Sequence, residues 1–249
     1  VQVKLPELSN ISCKMTLGFG WGIFVILRFL MIKAVLFDLD GTLVNSLFDL
    51  GASTNYALEK MGFPTHETEK FKIFVGDGMA KLIERALPES KRDKETIKTT
   101  LDIFMEHYRA HYVDKTVPYD GISELLDKLT GVKKAVISNK AEEMAIVVTK
   151  KLLGERFNIV CGKREGYPTK PDPTLTLEII GELGVEPKEC IFVGDSGMDM
   201  AVAKNSGCVA VGVLWGFRGK EELLANGADY IISSPDEILH ILEELNYYE

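Results

Sequence analysis

The sequence predicts an α/β fold, a doubly wound parallel sheet of Rossmann-like kind interrupted once by a small helical insertion. Three observations predict it. Short β-branched and aromatic runs recur at 34–37, 134–139, 157–160, 190–195, 209–213 and 230–232, each read as a buried strand. Helical patterns separate most of these runs, and βα alternation is the signature of a parallel sheet covered on both faces. The alternation breaks between Asp38 and Lys133, where roughly 70 residues carry helical periodicity without a strand signal.

Size and composition agree with that fold. A chain of 249 residues with 46% hydrophobic content is long enough for one large domain, or a domain with an insertion, and for a sizeable core. The net charge of −8 argues against a nucleic-acid partner, which normally leaves a basic patch. An anionic substrate therefore needs a local metal or lysine. Cys13, Cys161, Cys190 and Cys208 form no CxxC pair and lie in or beside apolar runs, so they read as buried, reduced thiols of a cytoplasmic protein.

The first segment stands apart. Leu17 to Ile32 is almost wholly apolar, but three glycines and Arg28 make it a poor spanning helix, and it lacks the cleavage site of a signal peptide. Residues 1–30 are expected to be an extension that is not translated, with the protein starting at Met31; the alternative is a membrane or interface anchor over 17–32. The first strand, Ala34 to Phe37, ends at Asp38, Asp40 and Gly41. A helix is expected from the turn after Gly41 to about Met61, closed by Gly62 and Pro64, and a second from about Glu67. Gly76-Asp77-Gly78 breaks the pattern before a helix over Met79 to Leu87, and the charged run at 91–98 reads as a solvated face leading into a helix that ends near Tyr112. That helix carries His107 and His111 at i, i+4, without the glutamate of an HExxH zinc motif.

A helix over 122–129 and the strand at 134–139 follow, then a helix to Leu153, the strand at 157–160, a loop containing Lys170 and a helix to Leu183 with Gly184 past its end. The strand at 190–195 ends on Asp195, with Ser196 and Asp199 beyond. Ser234-Pro235-Asp236-Glu237 starts the last helix. The core is accordingly assigned to 31–45 and 116–249, and the helical insertion to 46–115.

Chemistry concentrates at strand ends, where ligands gather in an open parallel sheet. Asp38 and Asp40 are two apart on an extended chain and leave on one face, so they repel unless a cation or shared proton sits between them; Mg²⁺ is the first expectation. With Ser138, Lys170, Asp195 and Asp199 the set suits phosphoryl transfer. It holds a carboxylate nucleophile, anionic oxygens for a metal, a hydroxyl donor and a mobile positive charge.

Those residues carry a resemblance. Asp38-Leu39-Asp40-Gly41-Thr42-Leu43-Val44, Ser138, Lys170-Pro171-Asp172-Pro173 and Gly194-Asp195-Ser196-Gly197-Met198-Asp199 resemble, in order and spacing, the four motifs of the haloacid dehalogenase superfamily of phosphatases. The likeness runs from Ile32 to the C-terminus, and residues 74–87 are similar to the helical cap of its phosphoglycolate phosphatases. The resemblance implies an aspartyl-phosphate mechanism. In it Asp38 is nucleophile and metal ligand, and Asp40 is acid and base while its backbone carbonyl binds Mg²⁺. Ser138 and Lys170 hold the phosphate, and Asp195 is a metal ligand with Asp199 beside it. Thr42 and Asn139 fall in the substrate-binding set, and Gly76 and Gly78 are expected to bring backbone donors to a small acid's carboxylate. Asn45 departs from the aspartate that many relatives carry, which bears on the cap and not on catalysis.

The function implied is Mg²⁺-dependent hydrolysis of a small phosphorylated metabolite, 2-phosphoglycolate first, by a monomer or homodimer. A sugar-phosphate phosphatase or mutase, a nucleotidase and a pyrophosphatase share the core motifs. An EF-hand is excluded by the spacing of Gly41, and no P-loop is present. A receiver-type phospho-acceptor module is the non-enzymatic alternative, disfavoured because a positioned acid such as Asp40 is superfluous without a leaving group.

Overall fold

The computed structural model describes residues 31–76 and 78–246, so the expectations for residues 1–30 and for Asp77 lie outside it. Six strands form one sheet. They are β1 (Ala34–Phe37), β4 (Lys133–Ala141), β5 (Ile159–Lys163), β6 (Cys190–Gly194), β7 (Val209–Val213) and β8 (Tyr230–Ile232), in the order β5-β4-β1-β6-β7-β8 with every pairing parallel.

Alternation along β1 shows why both faces are covered. Val35 and Phe37 pack with α4 (Ile122–Lys128), α5 (Glu142–Leu153) and α9 (Glu237–Asn246). Ala34 and Leu36 pack on the opposite face with α6 (Thr174–Glu182), α7 (Gly197–Ser206) and α8 (Lys220–Ala225). A strand apolar at every position has nowhere else to go, since each fully buried aliphatic or aromatic side chain contributes about 1.5–3 kcal/mol.

The chain runs outward from β1 to β5 and then returns to β6 on the other side of β1. Its strand order therefore reverses between β1 and β6, which opens a crevice at their carboxyl ends. Phe37 pairs with both Val136 and Val193, so Asp38, Ser138 and Asp195 emerge side by side.

The helical stretch comprises α1 (Leu47–Lys60), a 3₁₀ turn (Thr68–Ile73), α2 (Met79–Ala86) and α3 (Lys94–His111). Its own cluster includes Leu58, Phe71, Ile83 and Phe104, and Met144 of α5 joins it from the core. The Asp93 carboxylate caps α3 by accepting from the Thr96 N–H at 2.9 Å.

Several details differ from the sequence reading. Val44–Asn45 (β2) and Val117–Pro118 (β3) pair antiparallel where no strand was expected, because a ribbon two residues long carries no periodicity. Asp49 fastens this stem: its carboxylate accepts from the Thr116 hydroxyl at 2.6 Å and from the N–H groups of Lys115 and Thr116. The second helix is 3₁₀, β5 lies two residues further on, β4 runs on to Ala141, and α7 and α8 were not anticipated. Among the described residues no helix is long and apolar enough to cross a membrane.

Candidate active site

Asp38 follows β1 directly, and its N–H bonds the Val193 carbonyl at 2.9 Å, which holds the residue in line with the sheet. Lys170 reaches in from the loop before α6. Its Nζ donates to Asp38 Oδ1 and Asp199 Oδ1 at 2.6 Å each, and to the Ile137 carbonyl at 3.0 Å. Asp199 lies in the first turn of α7 as half of a capping box with Ser196, whose N–H and hydroxyl donate to Asp199 Oδ2 at 3.0 and 2.6 Å. Asp195 accepts from the Phe217 N–H at 2.8 Å and from the Thr42 hydroxyl at 3.3 Å.

Glycine lets the backbone come this close. A Cβ on Gly41, whose φ is +96°, would lie 2.3 Å from the Asp195 carboxylate, and one on Gly216 would lie 2.3 Å from Asp195 Cβ and 2.4 Å from the Gly41 carbonyl.

The carboxylates of Asp38, Asp195 and Asp199 offer oxygens within 4.8 Å of one another, all buried, with the Lys170 ammonium as their shared countercharge. That imbalance shows in their acidity. Burial pushes the Asp38 carboxyl up to about 7 against the pull of Lys170, with Asp199 and Asp40 adding to the push. Burial, then Asp199 and Asp38, also raise Asp195 well above the usual carboxylate range. Lys170 is raised too, because Asp199 and Asp38 outweigh its own desolvation. Oxygen-only donors crowded in this way fit a hard divalent cation, which would take up the excess negative charge.

Asp40 belongs to a different constellation. Its carboxylate is held by Lys140 Nζ at 3.1 and 3.3 Å, and the same ammonium donates to the Tyr108 hydroxyl of α3 at 2.6 Å. Ser138 and Asn139 lie beside it on β4: Ser138 Oγ accepts from the Lys140 N–H at 3.2 Å, and Asn139 Oδ1 accepts from the Lys170 N–H at 3.0 Å.

Asp38, Asp40, Ser138, Asn139, Lys170, Asp195 and Asp199 line one cleft, which the helical stretch covers with Gly76 and Gly78, both at positive φ. Thr42 is fully buried, and its hydroxyl donates to Asp195. Lys140, Tyr108, Phe217 and Arg218 were not anticipated from sequence. Lys140 had a signal, since it stands two residues past Ser138 on the same strand and so on the same face. Phe217 and Arg218 had one also, because they follow the carboxyl end of β7. Tyr108, fully buried in α3, had none.

Comparison with known proteins agrees with this geometry. The family model described as haloacid dehalogenase-like hydrolase matches residues 35–213. The chain is 34% identical over 218 residues to a phosphoglycolate phosphatase of Chromobacterium violaceum, covering 85% of this chain and 97% of that one. It is 35% identical over 224 residues to one of Neisseria meningitidis serogroup A, covering 85% and 94%. A solved structure from Lactobacillus delbrueckii subsp. bulgaricus, predicted to be a phosphoglycolate phosphatase, superposes with a TM-score of 0.80 at 30% identity, covering 87% of this chain and 99% of that one.

Proposed function

This chain belongs to the haloacid dehalogenase-like hydrolase family, and from that premise we propose that it is a phosphomonoesterase that hydrolyses 2-phosphoglycolate through a phosphoryl group carried on Asp38. One observation carries the reading: two cleft carboxylates have separate buried lysines, Asp38 with Lys170 and Asp40 with Lys140. Two carboxylates in distinct environments can take distinct roles.

In the first half-reaction an Asp38 carboxylate oxygen attacks phosphorus and the bond from phosphorus to the leaving oxygen breaks, while Asp40 passes a proton to that oxygen. In the second, water attacks the aspartyl-phosphate, the bond between phosphorus and the Asp38 oxygen breaks, and Asp40 takes the water's proton. Glycolate and inorganic phosphate are released and Asp38 is restored. Lys170 and Ser138 hold the phosphoryl oxygens, with the Asn139 side chain steadying the Lys170 backbone. A divalent cation, Mg²⁺ in this reading, would be held by Asp38, Asp195 and the Asp40 carbonyl, with Asp199 beside it, and supplies charge neutralisation at those oxygens.

The helical stretch over 46–115 acts as a cap on the core formed by 31–45 and 116–249. Gly76 and Gly78 leave its backbone N–H groups free of side-chain cover toward the substrate's carboxylate, and closure keeps bulk water from the aspartyl-phosphate. Cys161, Cys190 and Cys208 are buried free thiols, which supports a cytoplasmic protein.

A phosphatase screen of the purified chain with Mg²⁺ over small phosphorylated metabolites tests the reading. The highest kcat/KM is expected for 2-phosphoglycolate. Preference for nucleotides or sugar phosphates would overturn the substrate, and stoichiometric phosphate retention without turnover would overturn the enzyme.

A further inference from the structure

Asp40 and Lys140 raise a question that the reaction alone does not answer. The Lys140 side chain has no solvent contact, and a buried ammonium is a poor means of stabilising a fold: replacing a buried ion pair by apolar side chains of like volume is often neutral or favourable. A methionine there would fill the same space. The charge therefore calls for a use beyond packing.

Three observations converge on one. Lys140 Nζ spans both oxygens of Asp40, at 3.1 and 3.3 Å, which fixes the rotation of the carboxyl group as a contact to one oxygen would not. The Lys140 backbone N–H donates to Ser138 Oγ at 3.2 Å, so this hydroxyl accepts from the protein and keeps its own hydrogen for the cleft. The β4–β5 register shifts between Ile137 and Ala141, the kind of strand irregularity that re-aims side chains beside active sites.

The third partner of the ammonium comes from elsewhere. Tyr108 is fully buried in the helical insertion, its ring stacked on Phe104 with centroids 5.1 Å apart, and its hydroxyl meets Lys140 Nζ at 2.6 Å. An insertion that shifts on the core moves this hydroxyl, and with it one of the contacts that hold the ammonium in place.

We propose that Lys140 is the positioning residue for Asp40, and that Tyr108 makes this positioning answer to the seat of the helical insertion. The proposal rests on the phosphatase reading above. Neither residue touches the reacting atoms. Lys140 aims the carboxyl that exchanges the proton with the leaving oxygen, and the hydroxyl of Tyr108 aims Lys140.

The test compares Tyr108→Phe, Lys140→Met and Lys140→Arg in the full chain, with Mg²⁺, on 2-phosphoglycolate and on p-nitrophenyl phosphate, whose leaving group needs little protonation. Thermal unfolding of each variant is followed alongside. For 2-phosphoglycolate, kcat is expected to fall about 10-fold in Tyr108→Phe and about 100-fold in Lys140→Met, within the span that general acid–base catalysis contributes. KM and the pre-steady-state release of p-nitrophenolate, which precedes the hydrolysis that needs Asp40 as base, should stay within about 3-fold, and Lys140→Arg should recover part of the loss. Should Lys140→Met fail to fold, Tyr108→Phe, which lacks one oxygen atom, carries the comparison. Equal losses in the first phosphoryl transfer from both substrates overturn the proposal, as does a change confined to KM, which would make Lys140 a substrate-binding residue. A wild type inactive on both phosphates brings down the phosphatase reading itself, whereas an active wild type with unselective variants brings down the positioning alone.

Discussion

Lys170 and Lys140 are both buried ammonium groups lining one cleft, yet they belong to halves of it that are built differently. The hydrogen-bond acceptors of the Lys170 ammonium among the described residues, the Asp38 and Asp199 carboxylates and the Ile137 carbonyl, come from the α/β core, where parallel pairing fixes the strand ends against one another. Lys140 meets Asp40 from the core and Tyr108 from the helical insertion. Arg218 makes the same crossing, donating from the loop after β7 to the carbonyls of Lys72 and Val75. On the reading proposed above, the Lys170 half, which would hold the phosphate, draws its contacts from the core, whereas the Asp40 half, which would handle the proton, depends also on how the insertion is seated. Preorganisation of the first kind suits charge stabilisation, and dependence of the second kind suits a step that waits for closure.

The largest expected effect breaks the core half at the residue proposed as nucleophile. Asp38→Asn should lower turnover below about one part in a thousand, since a covalent nucleophile has no substitute. It should leave thermal stability unchanged or raised, because burial pushes this carboxyl up to about 7 and so works against its ionised form, a cost that an amide removes. Steady-state phosphate release and a thermal melt check both. Activity above that level would take the nucleophile role from Asp38.

A smaller effect is expected from Asp195→Asn, which leaves the nucleophile and removes one of the crowded carboxylates. The wild type should melt at a higher temperature as Mg²⁺ is added, by about 2.7 kcal/mol of stability at a hundred times its dissociation constant. In the variant this response should be largely lost, with activity at fixed Mg²⁺ down about 100-fold. An undiminished melting response would move the cation away from Asp195 and dissolve the distinction between the two halves.

The two halves also differ in how far sequence alone exposed them. Asp38, Ser138 and Asp195 stand at the ends of apolar runs, and the strand-end rule places them together before any tertiary contact is known. Lys140 escapes because the apolar run ends at Asn139, whereas the strand's pairing with β5 resumes at Ala141 beyond a register shift. Tyr108 sits 32 residues from Lys140 along the chain, inside a helix whose apolar positions all read alike as core. The β2–β3 stem was invisible for the opposite reason, being too short to show a period. Local pattern reveals what a strand end offers, but not which distant helix comes to meet it.

The smallest effect is expected where the insertion is fastened and no reacting group is touched. Arg218 is largely buried. Besides its contacts to the insertion's backbone, its Nε pairs with Glu222 at 3.4 Å, an intrahelical-type i, i+4 contact that keeps the guanidinium aimed across the cleft. A hydrogen bond from a charged group to a carbonyl contributes about 1.5–3 kcal/mol, and most of that is at stake when the insertion settles over a bound substrate. Arg218→Ala should therefore lower kcat/KM for 2-phosphoglycolate about 10-fold, by raising KM and, because the proposed positioning of Asp40 answers to the same seat, by lowering kcat as well. Gly76→Ala probes the same fastening more gently: its φ of +109° disfavours a side chain, and the new Cβ would sit 3.2 Å from Arg218 Nη2, so a change of about 3-fold in the same direction is expected. Steady-state kinetics on both variants separates the alternatives. A rise in KM with kcat unchanged would mean that Asp40 is positioned without regard to the seat of the insertion, and that the two halves differ less than their contacts make them.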